Sequence, residues 1–246
     1  MMYFETDAIV LRANKSINND IFLTLFTKKA GKMEVVSNGA KSSKSPLAAC
    51  SKPFVFGRFI LNTKTKTMKV TSCDIHDSHF RIADDLDSLA FGNYFIELCN
   101  LTIYPNIADT EHFQLIVEII HLLSLQDIDY NLLRAAYLIK LAKITGHKPH
   151  FDNTCIHCGA STDQFYFSIH SGGMICSNCK GGPEPIKLNQ QFISIMMYLM
   201  EKDVRVIVKT KIHPNYTIKI IEIFEKFLMV HQGITKIKSK DFLDIL

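Results

Sequence analysis

The sequence of 246 residues has no tryptophan and no apolar run long enough to cross a bilayer. Its first residues (MMYFETDAIVLRANK) lack the basic start and apolar segment of a secretory signal. Seven cysteines, an odd number, argue against a disulfide framework and favour reduced thiols. We therefore expect a cytoplasmic protein with no membrane partner.

Motifs of the common enzyme classes are also missing. The chain has neither the glycine fingerprint of dinucleotide-binding proteins nor the lysine loop of nucleotide triphosphatases. It has no G-x-S-x-G, no H-E-x-x-H, and no proline before a cysteine pair as zinc deaminases require. The sequence predicts that the protein is not an enzyme.

Four of the cysteines form the most specific pattern in the chain, C-x2-C-x17-C-x2-C. Each Cys-x-x-Cys turn can aim two thiolates at one point, and two such turns supply the four ligands of tetrahedral zinc. With every position filled by sulfur, none remains for water or substrate, so the predicted zinc ion is structural. The predicted ligands are Cys155, Cys158, Cys176 and Cys179.

Two disulfides or four unconnected thiols are the alternatives to zinc. Zinc is favoured because the spacing lies in the zinc-ribbon range and the rest of the chain fits a reducing compartment. His157 and His170 lie beside the cysteines and could replace a ligand, but four sulfurs already suffice. The scattered Cys50, Cys73 and Cys99 are expected to be small buried residues.

Positive charge is concentrated in the first third of the chain. Residues 1–80 hold 12 Lys and Arg against 6 Asp and Glu, a net charge of +6. Residues 81–246 hold 16 against 18, a net charge of −2. This polarity predicts an anionic partner for the N-terminal region, most commonly nucleic acid, although a merely solvated basic face is the alternative.

The first eighty residues contain five short runs rich in Val, Ile, Phe and Thr, which predict a small five-stranded barrel. The link KKAGK predicts a hairpin in which Gly31 has a positive φ. The longer link over 38–53 predicts an exposed, mobile loop. The predicted strands are Asp7–Ala13, Ile21–Thr27, Met33–Ser37, Phe54–Leu61 and Thr67–Cys73.

From about residue 84 the apolar residues recur at helical spacing. The first three predicted helices are expected to form a bundle, and a short aromatic strand is predicted between the two cysteine pairs, at 164–169. The predicted helices are 84–98, 110–126, 129–145, 190–200 and 214–231.

Together these patterns predict an α+β protein with two domains. The barrel occupies 1–80, and a mainly helical domain occupies 81–246. The cysteine knuckle is inserted in the helical domain at 151–183, where it would join the middle of the chain to the last helices.

A barrel with basic loops suits single-stranded nucleic acid, because Lys and Arg contact phosphates while exposed aromatics stack on bases. Most phenylalanines fall within apolar runs, so they are expected in the core and no stacking residue is predicted. The cations assigned to DNA are Arg12, Lys15, Lys28, Lys29, Lys32, Lys41, Lys44, Lys64 and Lys66.

Several landmarks in a fixed order make the chain resemble the bacterial RecO family of recombination mediators. Their order and spacing are specific, although no single one decides the match. They are T-D-A-I-V-L-R (6–12), L-T-L-F-T-x-x-x-G-K (23–32), N-G-A-K-x-x-K-S (38–45) with a later P-F (53–54), L-L-R-A-A-Y-L (132–138), T-G-H-K-P (145–149) and the C-x-x-C-G … G-G-x-x-C-x-x-C knuckle.

The resemblance implies an N-terminal OB fold, a helical domain and a zinc knuckle in a protein that binds single- and double-stranded DNA and anneals complementary strands. It also implies partnership with RecR and with the C-terminal tail of single-stranded DNA-binding protein, so that RecA loads onto coated strands. In a family with this activity, the cytoplasmic protein would associate with the nucleoid.

Two local comparisons follow from the resemblance. Lys41 and Lys44 fall in the basic loop of the family, but Pro46 stands where a further basic residue is common, so this loop is less cationic. Arg134, in the third predicted helix, is assigned to the carboxylate of the partner tail, with an ordinary surface arginine as the alternative.

Two other functions stay open from the residues. A zinc-stabilised protein adaptor would carry its basic N-terminal region incidentally and would not bind DNA. A redox-switched thiol protein would require the knuckle cysteines to cycle between thiol and disulfide. A DNA-binding assay distinguishes the adaptor from a mediator. Measurement of the metal content distinguishes the redox-switched protein from a mediator with a structural zinc ion.

Overall fold

The structure is a computed structural model that describes residues 3–64, 67–152, 154–161, 164–181 and 185–245. The chain divides into two compact units, Met1–Gln126 with Ile237–Leu246, and Asp127–Lys236. The predicted domain boundary at 80/81 falls within the first unit and stays a prediction. Lys66 and the predicted end of the knuckle at residue 183 lie outside the described residues.

The N-terminal strands close into a five-stranded barrel in the order β1-β2-β3-β5-β4. Strands β3 and β5 pair in parallel, and the other neighbours are antiparallel. This arrangement confirms the α+β prediction with an OB-like barrel at the N-terminus. The strands are β1 (Tyr3–Lys15), β2 (Ile21–Thr27), β3 (Gly31–Ser37), β4 (Phe56–Asn62) and β5 (Met68–Asp77).

Alternation of side chains along the strands fills the barrel interior. In β2, Leu23 and Leu25 point into the core, whereas Phe22 and Phe26 lie on the other face, as the two-residue period of a strand requires. Phe26 is nevertheless fully buried, because its ring contacts Phe113 of the following helical segment edge-on at 5.4 Å between centroids. Phe22 has no such cover and is 48% exposed.

The turn between β2 and β3 depends on Gly31. Its φ of +66° confirms the predicted left-handed conformation, which glycine adopts without steric cost. A Cβ at this position would also overlap the backbone carbonyl of Ile107. The turn can therefore pack directly against the chain segment at 104–107.

The link between β3 and β4 is more buried than the sequence predicts. Ala40, Cys50 and Ser51 are buried, and the Ser51 hydroxyl donates a hydrogen bond to Ser37 Oγ at 2.8 Å. Phe54 has a φ of 71°, so β4 begins two residues later than predicted. The lysine-containing stretch 41–44 is exposed throughout.

The rest of the first unit is helical. Aspartates at the N-caps of α1 and α2 accept hydrogen bonds from the first helical turns, Asp85 from the backbone N–H of Ser88 and Asp109 from that of His112. The C-terminal segment returns to this unit, where Glu97 of α1 accepts backbone N–H bonds from Lys238 and Ser239. The elements are a 3-10 turn (Phe80–Ala83), α1 (Leu86–Thr102), α2 (Thr110–Ser124) and α7 (Lys240–Leu243).

In the second unit, α3 packs against α6 and α4. The prediction that α3 forms a bundle with α1 and α2 is wrong in its grouping, because α1 and α2 belong to the first unit. A three-stranded antiparallel sheet, ordered β7-β6-β8, contains the predicted aromatic strand. The elements are α3 (Tyr130–Ile144), β6 (Phe165–Ser168), β7 (Gly173–Ile175), β8 (Ile186–Leu188), α4 (Gln190–Glu201), α5 (Val204–Ile207) and α6 (Pro214–Gln232).

An aromatic cluster joins the small sheet to α6. The ring of Phe167 in β6 lies 6.2 Å from Phe227 and 6.3 Å from Phe224, measured between centroids, and Phe151 lies 5.7 Å from Phe167. All four side chains are buried. The knuckle is thereby anchored on a helix rather than held by its cysteines alone. Among the described helices, none combines the length and apolar character needed to span a membrane.

Candidate metal centre and nucleic-acid interface

Tight backbone turns position the four knuckle cysteines. The backbone N–H of Gly159 donates to the carbonyl of Cys155 at 2.8 Å, and Gly159 has a φ of 71°. The second pair lies at the end of β7, where a 3-10 turn brings Cys179 N within 3.2 Å of Cys176 O. Ile156 N donates to Met174 O at 2.9 Å, so the first turn is fixed to β7 and faces the second.

The four sulfurs converge on one point. One ligand atom from each cysteine lies within 4.8 Å of every other, and Cys158 Sγ is 3.8 Å from Cys176 Sγ. Four sulfurs at 2.3 Å from a zinc ion would be separated by about 3.8 Å, the edge of a tetrahedron. A disulfide needs about 2.05 Å between sulfurs, and all seven cysteines are unbridged. The donor set therefore fits a closed metal site.

The electrostatic environment also favours a thiolate in this cluster. Burial raises the pKa of the Cys155 thiol, but hydrogen bonds from the backbone N–H groups of Cys176, Cys158 and His157 outweigh it and lower the pKa to about 6. Hydrogen bonds with Cys158 and Cys176 raise the pKa of Cys179 to about 12. A cation bound among the four sulfurs would neutralise a thiolate at Cys155.

The flanking histidines do not complete the cluster. His157 Nε2 lies 3.2 Å from the Ser171 hydroxyl, and both residues are exposed. His170 is also exposed and lies beside α6 residues. Among the described knuckle residues, the four cysteines are the group close enough together to hold a metal ion, and a four-sulfur site needs no histidine.

Lysines at the β2–β3 turn form the first group of predicted DNA contacts. Lys28 and Lys29 are exposed, and the ammonium of Lys29 donates to the carbonyl of Glu5 at 2.7 Å. Lys32 differs from them, because it is half-buried and its ammonium donates to the carbonyl of Asn100 in α1 at 2.8 Å. A DNA contact by Lys32 would have to replace that bond.

A second group lies at the opposite end of β2. Lys41 belongs to the β3–β4 link, yet its ammonium donates to Ser16 O at 3.1 Å and its backbone N–H to Asn19 O at 3.0 Å. The link is therefore fixed on the β1–β2 loop, close to Lys15 at the end of β1. We name Lys15, Lys41 and Lys44, which are all exposed, the loop-end lysines.

The lysines of the β2–β3 turn and the loop-end lysines cannot contact the same one or two nucleotides. They are separated by the length of β2, which is seven residues or about 20 Å at 3.3 Å per residue. Lys64 is exposed in the β4–β5 loop, where its backbone N–H donates to Asn62 Oδ1 at 2.9 Å. Lys66 of the same loop lies outside the described residues.

The two N-terminal arginines differ from the lysines in their surroundings. The positive charge of Arg12 in β1 acts on the carboxylate of Glu97 in α1. Arg58 in β4 donates to Asp7 Oδ1 at 3.1 Å and lies 3.6 Å from Glu5. Burial raises the pKa of Asp7, but hydrogen bonds from Arg58 and His76 outweigh it and lower the pKa. Each arginine therefore has acidic neighbours within the protein.

Phe22 is an exposed aromatic that sequence reasoning missed. It stands opposite Asn14 of β1 and Val36 of β3, on the outward face of the barrel and near the loop-end lysines. The available signal was the run IFLTLFT, in which Phe22 shares a strand face with the polar Thr24 while Leu23 and Leu25 share the other face. A ring in this position can stack on a base.

Arg134 is neither free for a partner nor an ordinary surface arginine. It is 7% exposed on α3, and its Nη2 contacts the carboxylate of Glu225 on α6, which is 3% exposed. The predicted role in binding a partner carboxylate stays a prediction, and any incoming carboxylate would compete with Glu225.

Two family models cover the chain in succession. "Recombination protein O N terminal" matches residues 1–79, and "Recombination protein O C terminal" matches residues 83–241. The chain belongs to the RecO family. Between them the models span both compact units and confirm the resemblance seen in the ordered landmarks.

Curated relatives in the RecO family match over most of their length. "DNA repair protein RecO" of Alkaliphilus metalliredigens is 29% identical over 94% of each chain. That of Thermoanaerobacter sp. is 27% identical over 100% of this chain and 99% of its own. That of Clostridium novyi is 32% identical over 72% of this chain and 69% of its own. The family is one of DNA repair proteins.

Proposed function

We propose that this RecO-family protein is a non-enzymatic recombination mediator that binds single- and double-stranded DNA and anneals complementary strands. Family membership and the excess of positive charge in residues 1–80 support this function. The observation that carries it is the barrel end where Lys41 fixes the β3–β4 link on the β1–β2 loop, at the same end of β2 as the exposed Phe22. We place the activity in the cytoplasm, at the nucleoid.

The proposed DNA path runs over the outward face of β2 and β3. In OB folds, this face and the β1–β2 and β4–β5 loops bind oligonucleotides. Here the loop-end lysines adjoin the β1–β2 loop, and Lys64 lies in the β4–β5 loop. The lysines would hold phosphates while Phe22 stacks on a base, a combination that binds single strands with little sequence preference. Lys28 and Lys29 would extend the path.

We further propose that the four knuckle cysteines hold one Zn2+. All four positions would be filled by sulfur, so the ion would supply rigidity to the knuckle and no open position for chemistry. The knuckle would then present β6 to the aromatic cluster on α6 in a fixed orientation. Zinc content is measured by elemental analysis of the purified chain. If the protein were instead a redox switch, its knuckle thiols would have to cycle to a disulfide, so they should react readily with an alkylating reagent even in the metal-loaded protein.

The proposed partners are RecR and the C-terminal tail of single-stranded DNA-binding protein, with RecA loading as the result. Arg134 is one site for the tail, if the tail displaces Glu225. An apolar groove of the second unit is another, lined by Ile186 and Ile223 together with Lys219 and Lys226. Apolar walls with lysines suit an acidic peptide that ends in apolar residues. Binding of a labelled tail peptide to Arg134→Ala and to Lys219→Ala/Lys226→Ala separates the two sites.

An annealing assay tests the proposed function as a whole. Complementary strands are coated with single-stranded DNA-binding protein, with or without its tail, and duplex formation is followed by fluorescence. A mediator accelerates annealing of coated strands and loses most of this effect when the tail is deleted. The same assay is run on bare strands. If the protein leaves their annealing at the spontaneous rate, as an adaptor without DNA contacts would, the proposal is overturned.

A further inference from the structure

A second group of metal-ligating side chains lies in the first unit, far in sequence from the cysteines. Asp77 ends β5, His79 follows it by two residues, and His121 lies on α2. One ligand atom from each lies within 4.8 Å of the others. We propose that Asp77, His79 and His121 bind a divalent transition-metal ion of the zinc type.

The distances suit ligands of one ion. Asp77 Oδ2 is 3.3 Å from His79 Nε2 and 3.5 Å from His121 Nδ1. Ligands bound at about 2.0–2.1 Å around a tetrahedral ion are separated by about 3.3–3.4 Å. The two measured separations therefore agree with ligands that share one ion.

His79 is held in the tautomer that a metal requires. Its Nδ1–H donates to the carbonyl of Phe54 at 2.8 Å, which leaves the lone pair on Nε2, the nitrogen beside Asp77. Metal-binding histidines are commonly fixed in this way by a bond from their second nitrogen to a carbonyl. The side chain of His79 is only 1% exposed, so its Nε2 faces Asp77 within the protein rather than solvent.

Two residues of this site have a left-handed backbone conformation that is unfavourable for residues other than glycine. His79 has a φ of 46° and Phe54 a φ of 71°, and neither is glycine. Such conformations cost free energy and are retained where the surroundings fix them, frequently at functional sites. Phe54 supplies the carbonyl that accepts the hydrogen bond, and this bond orients the ring of His79. His79 N–H also donates to Asp77 Oδ1 at 2.8 Å, which orients the carboxylate.

The chemistry of the donors defines the ion and its role. Two imidazole nitrogens and one carboxylate oxygen suit Zn2+, Ni2+ or Co2+, with remaining positions for water. The side chains of Asp77 and His121 are 40% and 50% exposed, so an ion can enter from solvent. A bound ion would link the end of the barrel strand β5 to α2. This role is independent of DNA binding and of the cysteine site.

Metal titration of the full-length chain tests the proposal. Cobalt at the four cysteines gives intense thiolate charge-transfer absorption, whereas cobalt at Asp77, His79 and His121 adds no such band, so the two sites are distinguished. Wild type should take up one more equivalent of Co2+ or Zn2+ than His121→Ala. Loss of an outer-shell partner already weakens metal binding about 10- to 100-fold, so loss of a ligand should weaken this equivalent at least about 100-fold.

The controls keep the outcome independent of folding and of the cysteines. His121 is half exposed, so its removal should leave the circular dichroism spectrum unchanged. His170→Ala removes another exposed histidine and should keep the wild-type stoichiometry. Asp77→Asn should lose the same equivalent as His121→Ala. Equal metal uptake by wild type, His121→Ala and Asp77→Asn would overturn the proposal.

Discussion

The ammonium of Lys41 donates a hydrogen bond to the backbone carbonyl of Ser16 across 3.1 Å, which joins the β3–β4 link to the β1–β2 loop. This contact brings lysines from distant parts of the sequence to one end of the barrel. An ammonium has three protons, so Lys41 can keep this bond and still contact a phosphate. The proposed DNA surface is built around this end.

Removal of the exposed aromatic on that surface should weaken single-strand binding. Stacking of a base on an aromatic side chain is worth about 1–3 kcal/mol, so Phe22→Ala should weaken affinity by roughly 5- to 150-fold. The salt dependence should be unchanged, because no charge is lost. Fluorescence anisotropy with a mixed-sequence oligonucleotide measures both quantities.

Tyr104→Ala is the matched control for Phe22→Ala. Tyr104 is 65% exposed, but its carbonyl bonds to Lys32 at the β2–β3 turn, the opposite end of β2. It should lose less affinity for DNA than Phe22→Ala does. Equal losses in both variants would show a general effect of surface aromatics and would remove Phe22 from the proposed path.

The buried ion pair of Arg134 and Glu225 should make a large contribution to the second unit. Removing one partner leaves the other charge buried, which typically costs about 3–5 kcal/mol. Arg134→Ala should therefore lower the free energy of unfolding by about that amount, whereas Arg134→Met/Glu225→Leu should recover most of it. Urea denaturation measures both.

An exposed pair in the same unit provides the comparison. Lys143 Nζ lies 3.1 Å from Glu201 Oε2, and both side chains are substantially exposed. Exposed pairs contribute about 0–1 kcal/mol, so Lys143→Ala should have little effect. If Arg134→Ala costs no more than Lys143→Ala, the pair is not a structural one, and the assignment of Arg134 to a partner carboxylate gains support.

Stability should fall in mild acid because of His112. This ring is buried against Phe26, and burial lowers its pKa from 6.5 to about 4. The native state keeps the ring neutral down to about pH 4, whereas the unfolded state protonates it below about pH 6.5. Between these two pH values the unfolded state therefore binds more protons than the native state. Stability is therefore full above about pH 6.5 and falls as the pH drops to about 4, with a total loss of about 3 kcal/mol.

The histidine origin of this acid sensitivity can be isolated by substitution. His112→Phe removes the titrating ring, so the difference in unfolding free energy between wild type and variant should change by about 3 kcal/mol from pH 7 to pH 4. His170→Ala, at an exposed histidine, should show no such change. Parallel curves for wild type and His112→Phe would contradict the prediction.

Loss of the knuckle metal should destabilise the second unit specifically. Cys158→Ser removes an exposed ligand of the proposed zinc and should weaken the thiolate charge-transfer band of the cobalt-loaded protein, because one of four sulfur ligands is lost. The remaining knuckle thiols should also react faster with an alkylating reagent than in wild type. Cys73→Ser, at a barrel cysteine, should keep the band at full intensity, and a band of wild-type intensity in Cys158→Ser would rule out the four-sulfur site.

The strands were predictable because their signals are local. Ile21–Thr27 matches β2, and the turn at Gly31 follows from one glycine in a short hairpin link. The start of β4 was not predictable, since Phe54 adopts a left-handed conformation that its sequence does not demand. Two tertiary hydrogen bonds hold that conformation, one from the Phe54 N–H to the carbonyl of Val10 and one from the His79 ring to the carbonyl of Phe54.

The sites were predictable in unequal measure. The cysteine cluster follows from two close pairs with fixed spacing, so the sequence identifies it completely. Lys32 and Arg134 could be counted as cations, but their internal partners, Asn100 and Glu225, are 68 and 91 residues away. The group of Asp77 and His121 is likewise brought together only by packing of α2 near the end of β5. Charge and composition cannot reveal such pairings.

The salt dependence of DNA binding tests the central claim most directly. Affinity for a single strand falls with salt at a log-log slope of about −0.7 per neutralised phosphate, so Lys15→Ala/Lys41→Ala/Lys44→Ala should flatten the slope by about 2. Lys28→Ala/Lys29→Ala, at the other end of β2, should flatten it by less than the value of about 1.4 expected if both lysines neutralised a phosphate. A triple variant with the wild-type slope and affinity would contradict the proposed DNA surface.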